Sequence, residues 1–229
     1  MNTHQHFEDQ VKDLKSRVMA MGTSAESMID RAVKSLLDRD ASRLAGVFKT
    51  EEEVNTFQLE IDDKSINMLA LQNPVAKDLR LTVMCSRIAG ELERIGDQAV
   101  NICQNTQELL RYPPLKPLLD IQQMAEIARR MLRDSLDSFV RGDTALAEKV
   151  LKTDDQVDAF KNQIFRELLT YMMADPATIP RALALILISR NLERVGDHAT
   201  NIAEEVIYVL QGRDVRHHHE ETKRRPAGK

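Results

Sequence analysis

"ELERIGDQAVNI" spans Glu91–Ile102, and "NLERVGDHATNI" spans Asn191–Ile202, 100 residues further on. At about 100° per residue of an α-helix, Met84, Ile88, Leu92, Ile95, Ala99 and Ile102 fall on one stripe. Such a stripe buries itself against a core. Glu93, Asp97 and Asn101 fall on another face, and Glu193, Asp197 and Asn201 do the same opposite Leu192, Val195, Ala199 and Ile202. Each copy therefore predicts one long amphipathic helix with oxygen-bearing side chains stacked at i, i+4 and i+8 on its outer face.

The copies are part of a larger repeat. "LLDRDASRLAGVFKTEEEVNTF" (Leu36–Phe57) sets against "FVRGDTALAEKVLKTDDQVDAF" (Phe139–Phe160) at an offset of 103 residues. The three-residue difference from the later offset of 100 falls in the turns around Pro74 and Pro176, where insertions cost little. Breaks at Asp40, Gln72–Pro74, Pro113–Pro117, Arg141–Asp143, Ala174–Pro180 and Gly212 cut the chain into six periodic runs. The expectation is an all-α fold, two tandem three-helix bundles related by an internal repeat, with six long antiparallel helices. Residues 1–112 would form the first bundle, 113–117 a proline linker, 118–216 the second bundle and 217–229 a polar tail.

Composition agrees with this and excludes much else. Of the 229 residues, 42% are hydrophobic and 30% charged, which supports a sizeable core and argues against disorder. Aromatics are 4%, Trp is absent, and there are only 8 Gly and 7 Pro, a poor composition for sheets. A net charge of −4, with no basic face or excess evident, argues against a nucleic-acid partner. The polar N-terminus does not read as a signal peptide, and the apolar run Ala182–Ile188 is far short of a membrane span. A cytoplasmic protein, meeting a membrane only through protein partners, is expected. Cys85 and Cys103 lie in helical pattern and read as buried, reduced thiols.

Two carboxylates at i and i+4 repel each other, and both halves repeat that cost. A bound cation would offset it, and carboxylate and amide oxygens suit hard ions or iron. One helix rarely completes a coordination shell. The preceding helix offers Asp154 and Asp158 in the second half, which align with Glu51 and Asn55 in the first. The candidate metal ligands are therefore Glu51, Asn55, Glu93 and Asp97, and Asp154, Asp158, Glu193 and Asp197. Gly96 and Gly196 sit at the border of the apolar stripes, where a neighbouring helix would approach closely.

With these residues in view, the chain resembles the PhoU family of bacterial phosphate-signalling regulators. The resemblance rests on "LERIGD" (Leu92–Asp97), "LERVGD" (Leu192–Asp197), "KDLRL" (Lys77–Leu81), "LLTYMMADPATIP" (Leu168–Pro180) and "MAMG" (Met19–Gly22), and covers residues 7 to 216. It implies two three-helix bundles with pseudo-twofold symmetry. It implies multinuclear iron or zinc clusters, or another divalent ion, on the acidic faces, with Asn55 departing from a strictly acidic pattern. It also implies a homodimeric adaptor, not an enzyme, that represses phosphate uptake and the phosphate-starvation response. The implied partners are the ATP-binding subunit of the phosphate ABC transporter and a sensor histidine kinase.

Two other readings compete. A carboxylate-bridged metal enzyme would need Glu-x-x-His motifs on core-facing positions, and the chain has none. A metal-independent structural bundle would leave the repeated acids without a purpose. Among the remaining features, Arg94 and Arg194 are expected to pair with local acids, and Asp78, with Arg80 at the start of the third helix, either to complement the helix N-terminus or to serve recognition. His198 is read as a surface residue, and Arg216–Glu221, with its three His, as a solvated tail.

Overall fold

A computed structural model describes residues 3–72 and 74–212. Six α-helices follow in order: α1 (Thr3–Asp38), α2 (Leu44–Gln72), α3 (Ala76–Leu110), α4 (Leu119–Arg141), α5 (Thr144–Ala174) and α6 (Ile179–Gln211). No strand occurs among the described residues. The fold is thus all-α, with α1–α3 as one three-helix bundle and α4–α6 as its repeat.

The breaks are local chemistry. Asp40 ends the turn after α1, accepting a hydrogen bond from the Ser42 amide and opening a single 3-10 turn at Ala41–Arg43. Its repeat partner Asp143 caps α5 by accepting from the Leu146 amide at 3.0 Å. Just before it, Gly142 closes α4 with a φ of 65°, a left-handed conformation that suits glycine. Asp175 caps a second 3-10 turn, Pro176–Thr178, ahead of α6. The third run stops at Leu110, with Arg111 as its C-cap still in the right-handed helical region, and Tyr112, directly before Pro113, is the residue that a proline disfavours there.

The segment between α3 and α4 is tied down at several points. Lys116 is 7% exposed and donates to Asp120 of α4 and to Glu167 of α5. Arg39, at the end of α1, reaches across to the C-terminus of α3 and donates to the Tyr112 carbonyl at 2.6 Å. Arg181 of α6 donates to the Pro113 carbonyl.

Within each bundle the apolar stripes meet as the sequence pattern dictates. Ile88, Leu92, Ile95 and Ile102 of α3 are fully buried, as are Ile188, Leu192, Val195 and Ile202 of α6. Each such side chain contributes about 1.5–3 kcal/mol by leaving water. The bundles also join each other. α3 packs along α6, and α1 along α4, so the buried residues of both halves form one continuous core. Ion pairs reinforce the α1–α4 seam, where Arg129 of α4 meets Asp30 of α1 at 2.6 Å and Glu26 at 3.5 Å. Cys85 and Cys103 are fully buried and unpaired, and burial pushes both thiols up to about 12. Among the described residues, no helix is long and apolar enough to cross a membrane.

Gly96 and Gly196 obey the repeat but not the expectation of crowding. A Cβ on Gly96 would stand 3.5 Å from Met28 Cε and Val54 Cγ1. One on Gly196 would stand 3.6 Å from Met131 Cε and Val157 Cγ1, the repeat partners of those residues. These are ordinary van der Waals distances, so lack of space does not require glycine there. Gly22 is the crowded position: a Cβ would lie 2.5 Å from Leu136 Cδ1 across the α1–α4 seam.

Candidate functional site

The acidic residues lie on two outer faces, one on α2 and α3, the other on α5 and α6. Each face is built by the same logic. The α3 and α6 stripes turn Leu92 and Leu192 inward, which leaves Glu93 and Asp97, or Glu193 and Asp197, on the outer side facing the preceding helix.

On the first face, Glu51 of α2 meets Glu93 and Asp97 of α3. Partial burial and the neighbouring charges of Asp97 and Glu52 push the Glu51 carboxyl above its ordinary value. Burial, Asp97 and Glu51 do the same to Glu93, against the weaker pull of Arg94 and His198. Among the described residues, no Lys or Arg forms an ion pair with Glu51, Glu93 or Asp97. Asn55 lies one turn beyond Glu51 and is exposed.

On the second face, Asp154 and Asp158 of α5 meet Glu193 and Asp197 of α6. Burial pushes Asp197 up to about 6, and the charges of Glu193, Asp154 and Asp158 add to it. Asp197 keeps solvent contact, but the flanking helices remove part of its hydration. Here a cation is already present. Lys161 of α5 donates to Asp158 Oδ1 at 2.9 Å and to Glu193 Oε1 at 2.8 Å. Burial opposes the charge on Lys161, and its bonds to Glu193 and Asp158 outweigh that, so its affinity for its proton rises.

Facing acids with raised pKa values store repulsion that a cation would relieve, and their oxygens are the donors a hard cation takes. The donor chemistry of the first face therefore fits a metal ion. That of the second fits as well, with Lys161 standing between two of its donors. Neither face is a ready-made cage: among the described residues, no three His, Cys, Asp or Glu side chains converge as a metal site would require. A metal would have to draw these side chains together.

Two residues read as outer-face groups belong instead to the seam between the bundles. His198 is half-buried, its Nδ1 2.8 Å from Glu91 Oε2 of α3. Asn201 donates to the same oxygen at 2.9 Å, so it turns away from the acidic ladder of α6. The reason is packing: α3 lies against the side of α6 that periodicity alone assigns to solvent. Arg94 pairs with Glu91 one turn back, as local pairing predicts, at 3.2 Å. Arg87 joins the same seam through Glu205 at 2.9 Å. Asp78 lies in the first turn of α3. The His-rich stretch at 217–219 lies outside the described residues.

Sequence reasoning missed Lys161, Glu91 and Arg87. Lys161 left a trace, since it stands three residues after Asp158 where the first repeat has Gln58. Glu91 and Arg87 left none, because their partners come from the other half of the chain.

Comparisons with known proteins give one answer along nearly the whole chain. The PhoU domain matches twice, at residues 18–106 and 121–206. A Pseudomonas aeruginosa protein named phosphate-specific transport system accessory protein PhoU homolog is 37% identical over 214 residues, covering 93% of this chain and 88% of that one. The Escherichia coli phosphate-specific transport system accessory protein PhoU is 33% identical over 221 residues, covering 95% and 92%. The crystal structure of PhoU from Pseudomonas aeruginosa superposes with a TM-score of 0.88 at 36% identity, covering 90% of this chain and all of that one.

Proposed function

The chain belongs to the PhoU family, and from that premise we propose that it is a non-catalytic accessory protein of a phosphate transport system. In this reading it is a negative regulator of phosphate uptake and of the phosphate-starvation response. It acts in the cytoplasm as an adaptor, as a homodimer, between the ATP-binding subunit of a phosphate ABC transporter and a sensor histidine kinase. The observation that supports the reading is the match, over 93–95% of the chain and through both repeats, to proteins named phosphate-specific transport system accessory protein.

Surface chemistry supports an adaptor. Leu59 and Ile66 of α2, and Phe165, Leu169 and Met173 of α5, are large apolar side chains left exposed on the outer helices. Surface of this kind is typical of protein–protein contact. The acids lie on outer faces, whereas a carboxylate-bridged bundle enzyme places them in the core.

The second element of the proposal is metal. Glu51, Asn55, Glu93 and Asp97 would hold one cluster of iron, zinc or another divalent ion, and Asp154, Asp158, Glu193 and Asp197 a second. The bound ion would neutralise the facing carboxylates and stiffen each outer helix against its neighbour.

Affinity capture from phosphate-replete cells, with membrane complexes preserved and bound proteins identified by mass spectrometry, tests the adaptor. Recovery of a transporter ATPase subunit or a sensor kinase is expected, and recovery of neither overturns it. Elemental analysis of protein purified without chelator tests the metal. Substituting Glu93, Asp97, Glu193 and Asp197 together by Ala should empty it, and unchanged metal content would refute the site.

A further inference from the structure

We propose that Lys161 is a tethered cation that competes with metal ions for the second acidic face and weakens metal binding there. The inference rests on the metal-binding reading above. Three observations lead to it.

The first is geometry. The Lys161 ammonium stands between Asp158 of its own helix and Glu193 of α6, 2.9 and 2.8 Å from one oxygen of each. These carboxylates are two of the four donors the second face offers. A metal ion bound to both oxygens would sit within a few ångströms of the ammonium, and two cations that close repel strongly. The lysine must swing out before the ion can take both donors.

The second is the repeat. The positions of Asp158 and Lys161 are held by Asn55 and Gln58 in the first half. The second face thus has one more acid and one more base than the first. Four carboxylates with one ammonium, and three carboxylates alone, carry the same net formal charge of −3. The extra acid arrives with its own counter-ion, so it adds a donor to the face without adding uncompensated charge.

The third is the absence of a like contact opposite. Among the described residues, no Lys or Arg pairs with Glu51, Glu93 or Asp97. The first face has no resident cation to displace.

Displacing a partly exposed ammonium from two ion pairs lowers apparent affinity by about tenfold. The test uses the full chain stripped by chelator, zinc ion alone as probe, and equilibrium dialysis with elemental analysis over a range of zinc concentrations. The wild type should show one class removed by Glu93→Gln with Asp97→Asn, and a second removed by Glu193→Gln with Asp197→Asn. Lys161→Gln, which installs the residue type of the first half, should tighten the second class about tenfold and leave the first unchanged. Lys161→Arg keeps the charge and should track the wild type. Thermal melts of the stripped variants establish that each is folded.

If Lys161→Gln and wild type give superposable isotherms with zinc bound, the competition is refuted and the metal reading stands. If neither binds zinc, both fall. A tightening that persists when Glu193 and Asp197 are also substituted refutes the assignment to this face. A purely structural role for Lys161, as a clamp between α5 and α6, would lower the melting temperature of Lys161→Gln without tightening zinc binding.

Discussion

His198 Nδ1 lies 2.8 Å from Glu91 Oε2, and this bond joins α6 of one bundle to α3 of the other. An ionised carboxylate has no proton to give, so Nδ1 is the donor. Burial pushes the Glu91 carboxyl up, yet its bonds to His198 and Asn201, with the charges of His198 and Arg94, outweigh this and lower it overall. Glu91 therefore stabilises the fold while ionised. Its contribution is complete above the ordinary carboxylate value and is lost as pH falls through the depressed one. Glu91→Gln should cost about 2 kcal/mol at neutral pH. Denaturant unfolding at pH 7 and again at progressively lower pH checks this, and the gap between variant and wild type should narrow as pH falls below the ordinary carboxylate value.

Asp197 behaves in the opposite sense. Its carboxyl is pushed up to about 6, so the folded state holds its proton more tightly than the unfolded chain does. In metal-free protein, stability from this residue is present below about pH 4 and declines as pH rises toward 6. Asp197→Asn should melt with the wild type at low pH and progressively above it through that window, with the difference level beyond it. Melting curves in the presence of chelator decide the matter. Equal melting at every pH would show that neither burial nor the facing acids raise this carboxyl.

The glycines separate crowding from mere helix propensity. Gly96→Ala places a methyl at ordinary contact distance, so the gain in helix propensity should dominate, about 1 kcal/mol and 2–4 °C in melting temperature. Gly22→Ala places the same methyl 2.5 Å from Leu136 Cδ1, where a buried side chain must move. That change should cost about 1–3 kcal/mol. Differential scanning calorimetry of both variants gives the two signs directly.

Arg39 caps a helix other than its own. Its guanidinium reaches the carbonyls of Leu109, Leu110 and Tyr112 at the end of α3. Arg39→Ala should cost about 1 kcal/mol. Hydrogen exchange should quicken at the end of α3 and in the following linker, with the middle of α3 unaffected.

How far the sequence reached depends on the range of each interaction. Asp40, Asp143 and Gly142 are legible because a cap is a contact within a few residues. The inward stripe of α3 and α6 is legible because helical periodicity alone sets it. The facing of Glu51 toward Glu93 and Asp97 needed one further step, supplied by the repeat. His198 and Asn201 were misplaced because their side of α6 looks solvent-facing until α3 of the other bundle is laid against it. Lys161 is legible as a neighbour of Asp158 on its own helix, but its reach to Glu193 needed the rotation of α5 relative to α6, which no pattern within either helix records.

The buried thiols have a practical corollary. Cys85 and Cys103 both belong to α3, and the second bundle has no cysteine. Sealed from solvent and held in the unreactive thiol form, they can meet a water-borne disulfide reagent only when their surroundings come apart. The rate at which such a reagent modifies the native protein is therefore a clock for the breathing of the core around α3, where the two bundles meet. Added zinc that slows this clock would report tightening around that helix without any engineered probe.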